Sequence, residues 1–123
     1  NFSAENIEHI KRSLVAPYDG ILESLDELVW DASWGNEPTA LLDRNVQIRK
    51  MLESAPRLIP LYGHRFLPSY ENQEMPILSV VDLDIIYYGK DLYDYFEIEF
   101  GNRKLSLALK EYKQVPFWTS DFY

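Results

Sequence analysis

The stretch Arg57-Leu-Ile-Pro-Leu-Tyr-Gly-His-Arg-Phe-Leu-Pro-Ser-Tyr70, which continues after a polar turn as Met75-Pro-Ile-Leu-Ser-Val-Val-Asp-Leu-Asp-Ile-Ile-Tyr-Tyr-Gly89, decides the fold. It is dense in Leu, Ile, Val, Phe and Tyr, and Pro and Gly interrupt it at intervals too short for an ordinary helix. It therefore predicts short strands of one sheet, at residues 58–62, 65–67, 77–81 and 84–87. Pro60 cannot donate to a strand ladder, so the first strand is expected at an edge or with a bulge.

The segments before this region carry less regular patterns. Ser3 is a suitable N-cap for a helix over residues 1–14, and Pro17 and Gly20 are expected to end that helix. Residues 20–34 fit both a helical stripe and an extended segment that is entered by a turn. We predict extended structure there.

The clearest helical pattern follows Asn36-Glu-Pro38, where Asn36 or Glu37 would cap a helix and Pro38 suits its first turn. The predicted inward stripe consists of Leu41, Ile48, Leu52 and Ala55, with Leu42 and Val46 beside it. Arg44 is assigned to the solvated face with the other charged side chains. Pro56 ends the helix because it disfavours helical geometry in the residue before it.

The C-terminal part predicts two more helices. Residues 91–100 form the first, with Asp91 as its cap and Gly101 as its left-handed stop. Its predicted inward face consists of Leu92, Tyr95, Phe96 and Phe100. Residues 103–113 form the second, and the apolar tail at residues 115–118 is expected to pack back onto the body.

Together these elements predict an α+β fold: a single domain over residues 1–123, with a mostly antiparallel sheet of about four to six strands and helices packed against it. A chain of 46% hydrophobic and 26% charged residues is typical of a folded domain. The absence of cysteine excludes disulfides and thiolate chemistry. No apolar run approaches the roughly 20 residues of a membrane span, and no signal peptide is recognisable, so we expect a cytoplasmic protein.

The formal net charge of −8 bears on the partner. Duplex binding draws much of its affinity from Lys and Arg that neutralise phosphates, so an acidic chain is a poor ligand for nucleic acid. A basic protein suits this charge better. The sequence contains no glycine-rich phosphate loop and no nucleotide fingerprint, and we predict no cofactor.

His64 and Arg65 form the cluster whose residue types are most suggestive of chemistry. A histidine can act as a base or a ligand near neutral pH, and a neighbouring arginine can hold an anion. A general base also needs a nucleophile or acid partner, and no motif in the sequence supplies one. The favoured interpretation is structural, with Arg65 paired to a carboxylate and His64 bonded to backbone in a turn.

Two other groups of polar residues allow a functional and a structural interpretation. Asp82 and Asp84 would share one face of a continuous strand and could bind a hard cation, but a turn between strands is favoured and no metal is predicted. Asp91, Asp94 and Glu97 are spaced by three, so they lie along one side of a helix as a recognition face or a solvated one. The nearby tyrosines include Tyr88. We expect some of these tyrosines to lie on a contact surface and the others to lie in the core.

Several longer motifs lie along the chain: Pro56-Arg-Leu-Ile-Pro-Leu-Tyr-Gly-His-Arg-Phe-Leu-Pro68, Ser79-Val-Val-Asp-Leu-Asp-Ile-Ile-Tyr-Tyr-Gly89, Asp91-Leu-x-Asp-Tyr95 and Pro116-Phe-Trp118, with Pro17-x-x-Gly-Ile21 and Trp34-Gly35 upstream. Together these motifs resemble a bacterial branch of the SMI1/KNR4 (SUKH) superfamily. The resemblance covers most of the chain. The chain differs from the wider superfamily in lacking the N-terminal stretch with its Ile-Glu and Leu-Pro-x-x-Tyr pattern.

The resemblance implies an α+β domain with a binding function, because many bacterial members are immunity proteins that neutralise a toxin, often a nuclease. On that basis we predict a non-enzymatic immunity protein with a cognate, basic protein toxin as its partner. The residues expected at the contact are Asp82, Asp84, Tyr88, Asp91 and Asp94, with His64 and Arg65 as scaffold of the adjacent turn. The alternatives are a small hydrolase or anion-binding enzyme that uses His64 and Arg65, and a regulatory domain that homodimerises through exposed aromatic residues.

Overall fold

A computed structural model describes residues 3–71, 73–101 and 112–119 of the chain. In chain order the elements are α1 (Ala4–Glu23), two short 3-10 helices (Leu25–Glu27 and Ala32–Trp34), α2 (Leu41–Ser54), β1 (Arg57–Tyr62), β2 (Arg65–Ser69), β3 (Ile77–Val81), β4 (Asp84–Gly89) and α3 (Leu92–Phe100). The strands form one antiparallel sheet in the order β1-β2-β3-β4. The predicted α+β class is confirmed.

The strand predictions agree with the structure to within two residues at each end. β1 lies at an edge of the sheet, and its register with β2 shifts between Pro60 and Tyr62. Both expectations for a strand that contains proline are therefore confirmed. At an edge or a bulge, no neighbouring strand requires a hydrogen bond from the N–H that proline lacks.

The two faces of the sheet follow from strand alternation. One face carries the buried side chains Leu58, Phe66, Leu78, Val80 and Ile85, which belong to the main hydrophobic core. The other face carries Arg65, Ser79 and Ile86, which are register partners across β2, β3 and β4, and also Tyr88. We call the first the core face and the second the α3 face.

The core face is covered by α1, α2 and the tail. Ile21, Ile48 and Trp118 are each 0% exposed in this layer. The Trp118 indole N–H donates to the Pro56 carbonyl oxygen at 2.8 Å, and the Tyr18 ring meets the indole edge-on at 5.5 Å. The prediction that the tail packs back onto the body is confirmed.

The predicted end of the first helix is wrong. Ser3 caps α1 as expected by accepting from the Asn6 N–H, but α1 continues through Pro17 and Gly20 to Glu23. Gly20 serves close packing, because a Cβ there would lie 2.9 Å from the Asp82 Cα. The predicted extended structure at residues 20–34 is also wrong, since α1 and the two 3-10 helices occupy much of it.

The predicted start of α2 and the predicted solvent exposure of Arg44 are both wrong. The helix begins at Leu41 with Ala40 at the N-cap position and no capping side chain. Glu37 instead accepts from Arg44 Nε at 2.8 Å. Arg44, predicted to be solvated, is 8% exposed and donates to the carbonyl oxygens of Leu25 and Leu28. Helical periodicity could not show that these loop carbonyls need a donor.

The bounds and cap of α3 agree with the prediction, and most of its predicted inward face does not. Asp91 accepts from the Asp94 N–H at 2.7 Å. Tyr95 is buried, but Leu92, Phe96 and Phe100 are 36%, 50% and 65% exposed. Gly101 has a φ of −110° and is not left-handed. The predicted helix over residues 103–113 lies largely outside the described residues.

Candidate protein-binding surface

The β1–β2 and β3–β4 turns lie at the same end of the sheet, because the Val80 N–H donates to the His64 carbonyl oxygen at 2.9 Å. Asp82 occupies the β3–β4 turn with a φ of 52°, a left-handed conformation that aspartate tolerates better than most residues. Asp84 begins β4, and both aspartates are exposed. The turn position favoured for this pair is the one observed. It leaves two solvated carboxylates at this end of the sheet.

His64 lies in a shallow groove of about 370 Å³ whose lining includes His9, Arg12 and Asp82. Arg65 is directed to the α3 face, where it meets residues of β3, β4 and α3. The two neighbours therefore do not converge on one cleft: His64 lies in the β1–β2 turn, and Arg65 is the first residue of β2. The arrangement agrees with the structural interpretation of Arg65, which finds its carboxylate in Glu99.

Arg65 is the centre of a polar cluster beneath α3. Its Nη1 donates to Ser79 Oγ at 3.3 Å, and its guanidinium lies 3.8 Å from the centroid of the Tyr88 ring. Its Nε lies 3.5 Å from Glu99 Oε1, an ion-pair distance too long for a hydrogen bond of normal length. Glu99 also accepts from the hydroxyls of Tyr88 and Tyr95, each at 3.3 Å. The cluster fixes α3 on the sheet.

Burial, the largest cause, acts together with the adjacent Glu99 charge and the hydrogen bond to Glu99 to raise the pKa of Tyr95 to about 12, while Arg65 opposes the shift. Tyr95 is 1% exposed, so its phenol remains neutral through the physiological range and donates to Glu99. The sequence analysis did not identify Tyr95, Glu99 or Ser79 as partners of Arg65. The available signal was that Arg65 and Ser79 are polar residues in strands dominated by apolar ones.

Asp91 and Asp94 lie at the other end of β4 from Asp84. The six residues of β4 separate the two ends by about 17 Å. The Asp91 carboxylate accepts from the Asp94 N–H, and the Asp94 carboxylate accepts from the Lys90 N–H at 2.8 Å. Asp94 is 5% exposed. These two aspartates stabilise the start of α3, and the five predicted contact residues do not form one continuous acidic face.

The outer side of α3 presents an apolar arc, and the sequence analysis placed three of its four residues, Leu92, Phe96 and Phe100, inside. Leu92, Phe96, Phe100 and Tyr93 fall on a continuous arc of about 100° when helical residues are placed 100° apart. The Tyr93 side chain is 66% exposed. The short helix cannot turn this arc inward, because Tyr95 and Glu99 already occupy the side that faces Arg65.

Within residues 3–71, 73–101 and 112–119, no three His, Asp or Glu side chains are grouped as metal ligands would be. In the same part of the chain, no helix has both the length and the apolar character needed to cross a bilayer. Comparison with protein-family models, with curated proteins and with solved structures found no match for this chain.

Proposed function

We propose that this chain is a non-enzymatic protein-binding domain of the immunity type found in the SUKH superfamily, which neutralises a cognate bacterial toxin in the cytoplasm. The observation that carries the proposal is the exposed pair Asp82 and Asp84 on a chain with a net charge of −8. The resemblance of the central motif to that superfamily supports the same function.

The expected mechanism is charge-steered association. Exposed carboxylates attract Lys and Arg on a basic toxin during the diffusional encounter, which raises the association rate and makes it sensitive to salt. Asp82 and Asp84 suit this role because both are solvated. Asp91 and Asp94 would contribute indirectly, since their carboxylates hold the N-terminus of α3. Tyr88 would act beneath Arg65, by supporting the cluster that positions α3.

The hydrolase alternative requires His64 and Arg65 to act on one ligand. The two side chains lie on different sides of the sheet, with His64 in the groove beside α1 and Arg65 under α3. No observed geometry favours that alternative over a binding function.

The test uses the toxin domain encoded by a neighbouring reading frame, expressed in a bacterium with and without this protein. We expect the protein to restore growth, and the purified pair to bind with an association rate that falls as salt increases. Asp82→Lys with Asp84→Lys should reduce that rate at least tenfold. The matched control is Glu8→Lys with Glu53→Lys, which changes the net charge equally at exposed helical positions.

The control should leave the rate within about twofold, because distant exposed charges are screened beyond about 8–10 Å at physiological salt. The proposal fails if the toxin domain is neither bound nor neutralised. The role of Asp82 and Asp84 is contradicted separately if the variant Asp82→Lys with Asp84→Lys neutralises the toxin as well as the unmodified protein does.

A further inference from the structure

The α3 face is only partly covered. α3 packs mainly over β4, and the outer side chains Ile59 of β1 and Tyr62 at its end are 46% and 64% exposed. A groove of about 250 Å³ lies between the start of α3, the outer face of β1 and β2, and the loop after β2, and its lining includes Ile59, Leu67 and Leu92. At the far end of α3 the rings of Tyr62 and Phe100 lie 6.0 Å apart. We call this surface the α3–β1 groove.

The groove and its rim expose a large apolar area to solvent. Tyr62, Tyr93, Phe96 and Phe100 are between 50% and 66% exposed. Since one aromatic side chain buries about 150–250 Å² in a core, their exposed part amounts to about 500 Å². Ile59 and Leu92 extend it. The total approaches the roughly 800 Å² that one partner contributes to a standard interface.

Charge indicates the kind of partner. Glu74 is the charged side chain among the described residues that line the groove. Glu71 is exposed and lies close to Glu74 in the sequence. Glu97 belongs to α3 and lies beside the apolar arc of that helix. A second copy of the chain would bring another net charge of −8 to this surface, which opposes self-association. A cationic partner is favoured instead.

The edge of the sheet indicates the partner's conformation. A strand added to β1 would meet Pro60, which has no N–H to donate, and the register shift beside it. A helix laid between α3 and the outer face of β1 needs no such ladder. α3 is nine residues long, about 14 Å, which matches two to three turns of a bound helix.

We propose that the α3–β1 groove binds an amphipathic basic helix of another protein, with apolar anchors at i, i+3 or i+4, and i+7 and with Lys or Arg beside them. The anchors fill the space between Ile59, Leu67 and Leu92 and extend onto the exposed Phe96 ring, and the cations meet Glu74. This is the helix-in-groove mode of peptide recognition. The inference concerns a different surface from the Asp82–Asp84 hairpin and does not depend on toxin neutralisation.

The probe is a synthetic 18-residue peptide, about five helical turns long. It carries Leu at helical spacing and Lys at the other positions, and binding is followed by fluorescence anisotropy. The control peptide has the same composition in scrambled order, so its charge is identical and its apolar stripe is lost. We expect the patterned peptide to bind at least tenfold more tightly than the scrambled one. Equal affinities would mean that charge alone attracts the probe, and the proposal would be wrong.

The protein variants locate the site. Ile59→Ser combined with Phe96→Ser should weaken binding of the patterned peptide at least tenfold, and Glu74→Gln two- to threefold with a smaller salt dependence. The matched control is Ile10→Ser with Leu14→Ser, which removes two exposed apolar side chains from α1, 43% and 47% exposed. It should change the affinity less than twofold. An equal loss in both double variants would overturn the assignment.

Two further measurements keep the proposal falsifiable if the double variant folds poorly. Phe100→Glu alters a side chain that is 65% exposed, so the fold should tolerate it, and it should abolish the patterned binding. Amide chemical shifts on peptide addition should change along α3 and β1 and not along α1. Light scattering that shows a dimer, lost in Phe100→Glu, would identify a second copy as the occupant and would also overturn the proposal.

Discussion

The two faces of the sheet hold their helices by different means. On the core face, α1, α2 and the tail surround side chains such as Trp118 and Ile48, which are 0% exposed. On the α3 face, a cationic group, a carboxylate and two phenols hold a short helix whose apolar residues point outward. The first arrangement gains mainly from apolar burial. The second fixes orientation and leaves apolar surface exposed, which suits recognition.

The strongest test of this difference is the loss of one large side chain on each face. Trp118→Ala should reduce the free energy of unfolding by about 3–5 kcal/mol, because it removes a buried indole and its bond to Pro56. Phe96→Ala, a half-exposed ring on α3, should cost less than about 1 kcal/mol. Urea unfolding followed by circular dichroism measures both. Similar losses would show that the Phe96 ring contributes as much to the free energy of unfolding as the Trp118 side chain does.

The buried arginine of the core side, Arg44, sharpens the comparison. Arg44 donates to the carbonyl oxygens of Leu25 and Leu28 on the core side, and Leu25 O also accepts from the Leu28 N–H at 3.3 Å. Arg44→Met should therefore cost about 2–3 kcal/mol, mainly by removing the donor to the buried Leu28 carbonyl. Arg49→Met, one turn later on the exposed side of α2, is the matched control and should change stability by less than about 0.5 kcal/mol. The same urea titration tests both. Equal effects would mean that the bonds of Arg44 contribute nothing beyond an ordinary surface charge.

The junction of β4 with α3 should not tolerate a side chain at Gly89. A Cβ at Gly89 would lie 2.9 Å from Tyr95 N and 3.0 Å from Tyr95 Cα, both backbone atoms that cannot move aside alone. Gly89→Ala should therefore cost about 2 kcal/mol. Gly35→Ala is the control for backbone strain without a clash, since its φ is 93° and its Cβ would meet nothing within 4 Å. If thermal unfolding shows the same loss for both, close packing of α3 on β4 is not the cause.

The sequence was informative where one local rule decided the structure. Proline and glycine spacing predicted the strands, and an aspartate before an apolar run predicted the start of α3. It failed where a distant group determined the outcome. Gly20 looked like a helix stop, but its role is set by Asp82, which lies far along the chain. Arg44 looked solvated because its carbonyl partners cannot be read from helical spacing.

The candidate site shows the same limit. The turn position of Asp82 and Asp84 could be predicted from two adjacent strand patterns. Asp91 was predicted both as a cap and as a contact residue, and Asp94 only as a contact residue, so its bond to the Lys90 N–H was missed. The exposed arc of α3 was missed because helical periodicity identifies an apolar side without saying what it faces. Only the packing of Tyr95 against the sheet reveals that the arc turns outward.

The smallest expected effect tests how the polar cluster works. Glu99→Gln keeps the shape of the side chain and removes its charge, so the pKa of Tyr95 should fall from about 12 toward its ordinary value of 10.0. It should remain above that value, because burial is the largest cause of the shift. Leaving Arg65 without its carboxylate should also cost about 1 kcal/mol at neutral pH.

The measurement is a tyrosinate absorbance titration, with the Tyr95→Phe variant subtracted because the chain has nine tyrosines. The folded pKa is raised, so the neutral phenol stabilises the fold fully below about pH 10 and this contribution disappears as the pH rises through about 12. In Glu99→Gln the folded pKa is lower and the unfolded pKa is unchanged, so the alkaline loss should begin at the same pH, be smaller, and be complete at a lower pH. An unchanged Tyr95 titration would assign the shift to burial alone, and α3 would then be held on the sheet by packing, as the helices of the core face are.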